Sequence, residues 1–223
     1  MLTVVKVGGG LAREAGPRVL RALCAQIAEA GARHPLLVVP GGAQFADVVR
    51  AHDRRFTLRP QTAHWMAILG MDQFGWALSD LIPGAARCTD LGSVGDRGVS
   101  ILLPAALLAE HDPLPESWTV TSDSIAAWVA RATRAPRLML VKDVDGFLAS
   151  RNATGDRKRL VRRVALGELS GVVDPYFARA LDPATACWVV RGTRPGRVAT
   201  LLATGRTHGT EVVTLGRSTR RPD

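Results

Sequence analysis

The chain has 223 residues, 47% hydrophobic and 22% charged, with 29 Lys+Arg against 20 Asp+Glu and a net charge of +9. This is enough apolar material for a packed core, and it excludes a disordered or fibrous chain. No apolar run approaches the roughly 18–20 residues that a bilayer span needs, and the N-terminus lacks a basic segment followed by an apolar core. Three widely spaced cysteines, Cys24, Cys88 and Cys187, argue against a disulfide framework or a zinc site. A cytoplasmic protein with no membrane partner is expected.

The charge is unevenly placed. Residues 151–163 (RNATGDRKRLVRR) hold six basic groups against one acid, and the tail 217–223 (RSTRRPD) holds three against one. The remainder of the chain is close to neutral. A basic protein invites a nucleic-acid reading, but residues 151–163 contain no aromatic on which a base could stack. Nucleic acid is therefore not an expected partner.

In chain order, residues 3–7 form a β-rich run ending in Gly8, Gly9 and Gly10. Residues 14–30 have apolar positions near helical spacing, with Gly31 as a stop. Residues 36–39 are continuously apolar, as in a strand covered on both faces, and are closed by Pro40, Gly41 and Gly42. A helix is expected from about Ala43, and a long one from Pro60 toward Ile82, since proline suits a first helical position. Trp65, Leu69, Asp72 and Trp76 fall at i, i+4, i+7 and i+11, which places Asp72 in an apolar stripe and demands a cation or donors for it.

Strands are expected at 99–103, entering 119–124, at 138–141, at 187–190 and near 211–215, with helices at about 125–133 and 197–203. Pro113-Leu114-Pro115 is the best internal boundary, and one domain with two lobes is expected rather than two folds. Alternating short strands and longer helices indicate an α/β architecture. Its glycine loops would fall at strand C-termini, where open parallel sheets place ligands.

Several chemical signatures are absent. There is no GxxxxGK[ST]; the third glycine of GxGxxG is replaced by Arg13; and HExxH and GxSxG do not occur. Four positive segments remain. In VKVGGG, Lys6 precedes three glycines whose backbone N–H groups can turn toward a phosphate. In VVPGGAQFAD, Gly41 and Gly42 lead into a helix N-terminus, a natural anion site. TVTSDSIAA carries Thr121, Ser122 and Asp123 into a helix, and LVKDVDGF ends a strand with Lys142, Asp143, Asp145, Gly146 and Phe147. Each has a local reading too: a tight turn, an N-cap or an Asp-Gly turn. Composition sharpens the two lysines. Only Lys6, Lys142 and Lys158 are lysine in an arginine-rich chain, and two of them sit at these loops. A compact ammonium there suits phosphate oxygens.

Taken in order with WVVRGTRPGRVATLLATGRTHGTEV, these segments resemble the motifs of the amino acid kinase family over about residues 3–216. The resemblance implies a three-layer α/β/α sandwich around a mainly parallel sheet, in one domain. Residues 1–115 would form the acceptor lobe and 116–216 the nucleotide lobe, with 217–223 as a basic tail. It implies ATP and Mg²⁺, a small-molecule phosphate substrate, and a homo-oligomer. Lys6 matches the lysine that neutralises phosphate charge during transfer, Gly8, Gly9 and Gly10 the phosphate cradle, and Gly41 and Gly42 the acceptor loop. Asp123 matches the aspartate that orients the catalytic lysine. Thr121 and Ser122 would lie beside the nucleotide, and 142–147 would line the nucleoside pocket.

A second family lysine is missing from 172–179 (VVDPYFAR), so Arg179 or Lys142 is expected to take part of its role. The runs HWMA, MDQFG and VVDPYF look most like the aminomethylfuranmethyl phosphate kinase branch of methanofuran biosynthesis. That acceptor bears both a phosphate and an ammonium. Gly41 and Gly42 would hold the phosphate, with His64 at the pocket and Asp72 or Asp53 facing the ammonium. Uridylate or isopentenyl phosphate kinase-like enzymes, or a non-catalytic nucleotide-binding protein on the same fold, are the alternatives.

Overall fold

The computed structural model describes residues 1–14, 16–111, 113–149, 159–169 and 171–213. Most of the basic loop, including Lys158, and all of the 217–223 tail lie outside the described residues. In chain order the elements are β1 (Thr3–Val7), α1 (Gly9–Glu14), α2 (Gly16–Gly31), β2 (Leu36–Pro40), α3 (Ala43–Phe56) and α4 (Pro60–Leu81). They continue with β3 (Ala86–Cys88), β4 (Val99–Leu102), α5 (Pro104–His111), α6 (Ser122–Ala132) and β5 (Arg137–Lys142). Last come β6 (Arg163–Ala165), α7 (Phe177–Ala180), β7 (Ala186–Arg191), α8 (Arg197–Thr204) and β8 (Gly209–Val213).

The strands form one eight-stranded sheet in the order β3-β4-β2-β1-β5-β7-β8-β6. Every neighbouring pair is parallel except β7 and β8. Helices cover both faces, giving the expected three layers. The central strands are apolar throughout, because a strand covered on both sides has no solvent face to mark with polar residues. Side-chain alternation divides the core in two. Val4, Leu37, Val39, Leu138 and Leu140 pack on the α6 side, and Val5, Val7, Val38, Met139 and Val141 pack on the α2 and α8 side.

Two consequences position the site. Lys6 shares its face with Val4, and Lys142 shares its face with Leu138 and Leu140, so both lysines project toward α6. The parallel register also pairs Val7 with Pro40 on one side and Val141 on the other, so β1, β2 and β5 end at one edge. The loops that follow them meet there, beside the central strand at which the chain connection changes direction.

The helix expected at 14–30 is α2, ending at Gly31, and a further short helix, α1, precedes it from within the glycine run. Two local expectations are corrected. No strand enters 119–124: these residues approach as a loop, and α6 starts at Ser122 with Thr121 as its N-cap. The stripe on α4 is also partly turned outward: Trp65 packs on the core, but Leu69 and Trp76 are exposed, with Trp76 covered by the Arg87 guanidinium at 3.9 Å. The buried face of α4 runs instead through Ala63, Ile68, Met71, Phe74 and Leu78. Gly70 and Gly75 lie on this helix where Phe45 and Leu103 come closest, so a close approach outranked the larger side chains.

The two glycine loops touch backbone to backbone. A Cβ at Gly9 would lie 2.5 Å from the Ala43 nitrogen, and one at Gly41 would lie 2.6 Å from the Gly9 nitrogen. Gly9→Ala should therefore cost about 1–3 kcal/mol by overpacking. Gly167→Ala, where nothing lies within 4 Å, should stay within about 0.5 kcal/mol. Urea midpoints of the two variants against wild type check this, and equal shifts would contradict it.

Candidate active site

Lys6 and Lys142 converge on Asp123. The Lys6 ammonium is 2.9 Å from Asp123 Oδ1, and the Lys142 ammonium is 2.6 Å from Asp123 Oδ2. Lys142 also donates to the Val172 carbonyl. The Lys6 and Asp123 side chains are each only 6% exposed. Burial holds the Lys6 ammonium below its ordinary pKa, partly opposed by the Asp123 charge. Burial pushes Asp123 upward, but the two ammonium groups together outweigh it and hold the carboxyl below its ordinary value. A carboxylate bound on both oxygens by cations is a poor base and a rigid anchor.

These groups form one wall of an open cleft of about 650 Å³. It is also lined by Gly8, Gly9, Gly10, Arg13, Gly42, Ala43, Ala46, Arg50, Thr121, Ser122 and Asp143. Ala43 opens α3 at φ +45°, a left-handed conformation that costs a non-glycine residue of order 1–3 kcal/mol. That strain sits at the cleft. Side by side with the cleft is a narrower slot of about 420 Å³, walled by Ala67, Ile68, Met71, Trp118, Val120 and Ile125, with His64 and Arg50.

The expected site residues are thus divided. Lys6, Gly8, Gly9, Gly10, Asp123, Lys142 and Asp143 line the cleft; Gly42, Thr121 and Ser122 line both cavities; and His64 lines the slot. Gly41 lies behind the cleft wall and packs on Gly9. Asp145, Gly146 and Phe147 stand outside both cavities. Asp145 pairs with Arg191 at 2.9 Å and with Arg197. Burial would raise its carboxyl, but the bonds from Arg197 and Arg191 hold it below the ordinary value. Gly146, at φ +140°, packs against Thr210, whose hydroxyl accepts the Phe147 N–H, and Phe147 is buried in the core.

The carboxylates expected to face an ammonium do not line the slot. Asp72 accepts the Ala105 N–H at 3.1 Å, in the first turn of α5, and burial raises its pKa. Asp53 accepts the Trp118 indole N–H at 2.7 Å. The donors that Asp72 demanded are backbone. Arg179 lies over the Tyr176 ring and does not line the cleft. Lys142 is the second lysine on Asp123.

Sequence reasoning missed Asp174. One carboxylate takes the Thr121 N–H and hydroxyl at 3.0 and 2.7 Å, the Ser124 N–H at 3.0 Å, the Ser124 hydroxyl, and the Tyr176 N–H at 3.2 Å. It caps α6 from some 50 residues away, and so fixes the turn that carries Asp123. It also draws the Thr121 hydroxyl inward. The Asp-Pro step in VVDPYF was the available signal. Arg13, Asp47, Arg50 and Trp118 were missed as well, because each depends on a contact between elements. Among the described residues no group of three or more His, Cys, Asp or Glu is placed to hold a metal ion.

The family model described as "Amino acid kinase family" matches residues 1–200. The chain belongs to the amino acid kinase family. It is 27% identical over 202 residues to the [5-(aminomethyl)furan-3-yl]methyl phosphate kinase of Methanocaldococcus jannaschii, covering 89% of this chain and 92% of that protein. Its fold resembles uridylate kinase from Archaeoglobus fulgidus, with TM-score 0.74 and 17% identity over 96% of this chain and 100% of that one. UMP kinase from Ureaplasma parvum gives TM-score 0.71 and 16% identity over 96% and 98%. No described helix of this amino acid kinase is long and apolar enough to cross a membrane.

In this kinase Asp123→Asn should cost about 3 kcal/mol or more at pH 7, because it leaves two buried ammonium groups without their counter-charge. The Asp123 carboxyl is held below its ordinary 3.8, so its contribution is complete above that pH. It is lost as pH falls through the lowered folded value. The wild-type advantage in urea midpoint should accordingly narrow in acid. An advantage that persists undiminished at the lowest pH would contradict the assignment.

Proposed function

We propose that this amino acid kinase transfers a phosphoryl group from ATP, supplied with Mg²⁺, to a small phosphate monoester and releases a diphosphate. The proposed acceptor is [5-(aminomethyl)furan-3-yl]methyl phosphate, the compound in the name of the methanogen relative. The observation that carries the reading is Asp123 held between Lys6 and Lys142. An alcohol acceptor must lose a proton to a base during transfer, whereas a phosphate monoester is already largely a dianion near neutrality. A cleft that concentrates cations and spends its buried carboxylate on anchoring them suits the second case.

The residues fit the groups assigned to them. Lys6 and Lys142 would neutralise the donor phosphates, against the Gly8–Gly9–Gly10 backbone, where a side chain would press on Val141, Ala43 or Asp143. The ion would arrive on the phosphates of ATP, and Asp143, which lines the cleft, would meet its water shell. Mg²⁺ would supply charge neutralisation of the phosphate oxygens. Lys6 and Lys142 stay fixed through the reaction because Asp123 holds both. The acceptor's ring would occupy the apolar slot, where Trp118, Met71 and Ile68 exclude water.

ATP turnover should be measured with this acceptor, UMP, isopentenyl phosphate and acetylglutamate, and with no acceptor. Acceptor-dependent ADP release should be greatest with the aminomethylfuran phosphate. Lys6→Ala should lower it by about two orders of magnitude or more, the scale of losing one charge-stabilising group. ATP consumption indifferent to acceptor, or unchanged by Lys6→Ala, would sink the proposal. ATP binding without turnover would leave only a nucleotide-binding protein.

A further inference from the structure

The cleft and the slot share a stretch of wall made by Gly42, Ala46, Arg50, Thr121 and Ser122. Arg50 is the one charged side chain in that set. An acceptor whose ring lies in the slot and whose phosphate reaches the cleft must place that phosphate against this shared wall. The two lysines cannot serve it equally, because both ammonium groups are drawn to Asp123, and all three line the cleft but not the slot. Two polyanions brought within bonding distance repel, and a cation between them relieves this.

Arg50 is held for such a task. Its Nη1 donates to Asp47 Oδ1 at 2.9 Å, and its guanidinium lies 5.1 Å from the centre of the Trp118 ring. The bond to Asp47 uses one of five N–H donors, and the planar fork suits two phosphate oxygens. Trp118 is itself fixed by its bond to Asp53. Asp47 also accepts Arg13 Nη1, at 2.7 and 2.6 Å. One carboxylate on α3 thus joins an arginine of α1, in the donor cleft, to an arginine at the acceptor junction.

We propose that Arg50 binds the acceptor's phosphate and selects phosphate monoesters over the parent alcohols, with Asp47 as the positioning residue that orients Arg50 and Arg13. This rests on the phosphate-monoester reading above. In the step it serves, a lone pair of the acceptor phosphate oxygen forms a bond to the γ-phosphorus. The bond from that phosphorus to the β,γ-bridging oxygen breaks, and its electron pair stays on the β-phosphate of ADP. No proton passes to or from the protein. Arg50 acts by holding the nucleophile and cancelling part of its charge.

The test compares wild type with Arg50→Gln, Arg50→Lys and Asp47→Asn, using [5-(aminomethyl)furan-3-yl]methyl phosphate and ATP, with urea midpoints to confirm folding. Arg50→Gln should raise the acceptor KM by about tenfold or more while the ATP KM moves by less than about twofold. Arg50→Lys should recover part of the loss, since charge returns without the fork. Asp47→Asn should raise the acceptor KM by a smaller factor.

Equal changes in both KM values, or no change, in a folded Arg50→Gln enzyme would overturn the proposal. A second measurement needs no turnover: calorimetric binding of benzyl phosphate and benzyl alcohol without ATP. Phosphate binding that is lost in Arg50→Gln, with the alcohol unaffected, supports the subsite even where no acceptor is phosphorylated. In that case only the kinase reading fails. Benzyl phosphate binding that is absent, or equal in the two proteins, overturns the subsite.

Discussion

Everything at the cleft depends on one carboxylate shared by two ammonium groups. Asp123 can reach both because Lys6 and Lys142 stand on the same face of adjacent parallel strands, and α6 lies across that face. Charges this deeply buried are costly to desolvate, and a hydrophobic trio of the same size would serve stability as well or better. The arrangement is retained where chemistry needs positive charge at a fixed place. Asp174 extends the dependence outward: without its grip on Thr121 and Ser124, the helix turn that aims Asp123 would lose its cap.

A second ionic cluster serves a different end. Asp145, between Arg191 and Arg197, ties the segment after β5 to β7 and α8. It shares a strand-end motif with Lys142 and Asp143, yet it holds that segment in place while the other two face the cleft. The three buried thiols are further from chemistry. Cys24 and Cys88 are pushed up to about 11 by burial, well away from the reactive range.

The fold was largely legible because its strongest signals are local. Continuous apolar runs at β2 and β5, glycine clusters at strand ends and a proline opening α4 each need only a few neighbouring residues to have their effect. Lys6 and Lys142 stood out for a related reason, since lysine is rare here and its placement carried information; Asp123 stood out only through the resemblance. What failed were inferences drawn from the periodicity of one element about a partner on another. Asp72 sits in a sequence stripe that looks apolar, but its partner is an N–H of α5, and Leu69 and Trp76 of that stripe face outward. Asp174 and Arg50 act through residues far away in the chain, and no periodicity records such contacts. The basic loop stood out most in composition, and residues 151–158 of it lie outside the described residues.

The contact between Gly9 and Gly41 has a mechanical consequence. Because the β1 and β2 loops meet at backbone atoms with no side chain to slide or rotate between them, they cannot part or approach independently. The two loops that line this side of the cleft are joined there as a single anvil. The other side of the cleft is built differently: there the 113–121 loop carries Trp118 into α6, and side chains rather than bare backbone make the contacts. On that side position is kept by the hydrogen bonds of Asp174, and on the glycine side by steric contact.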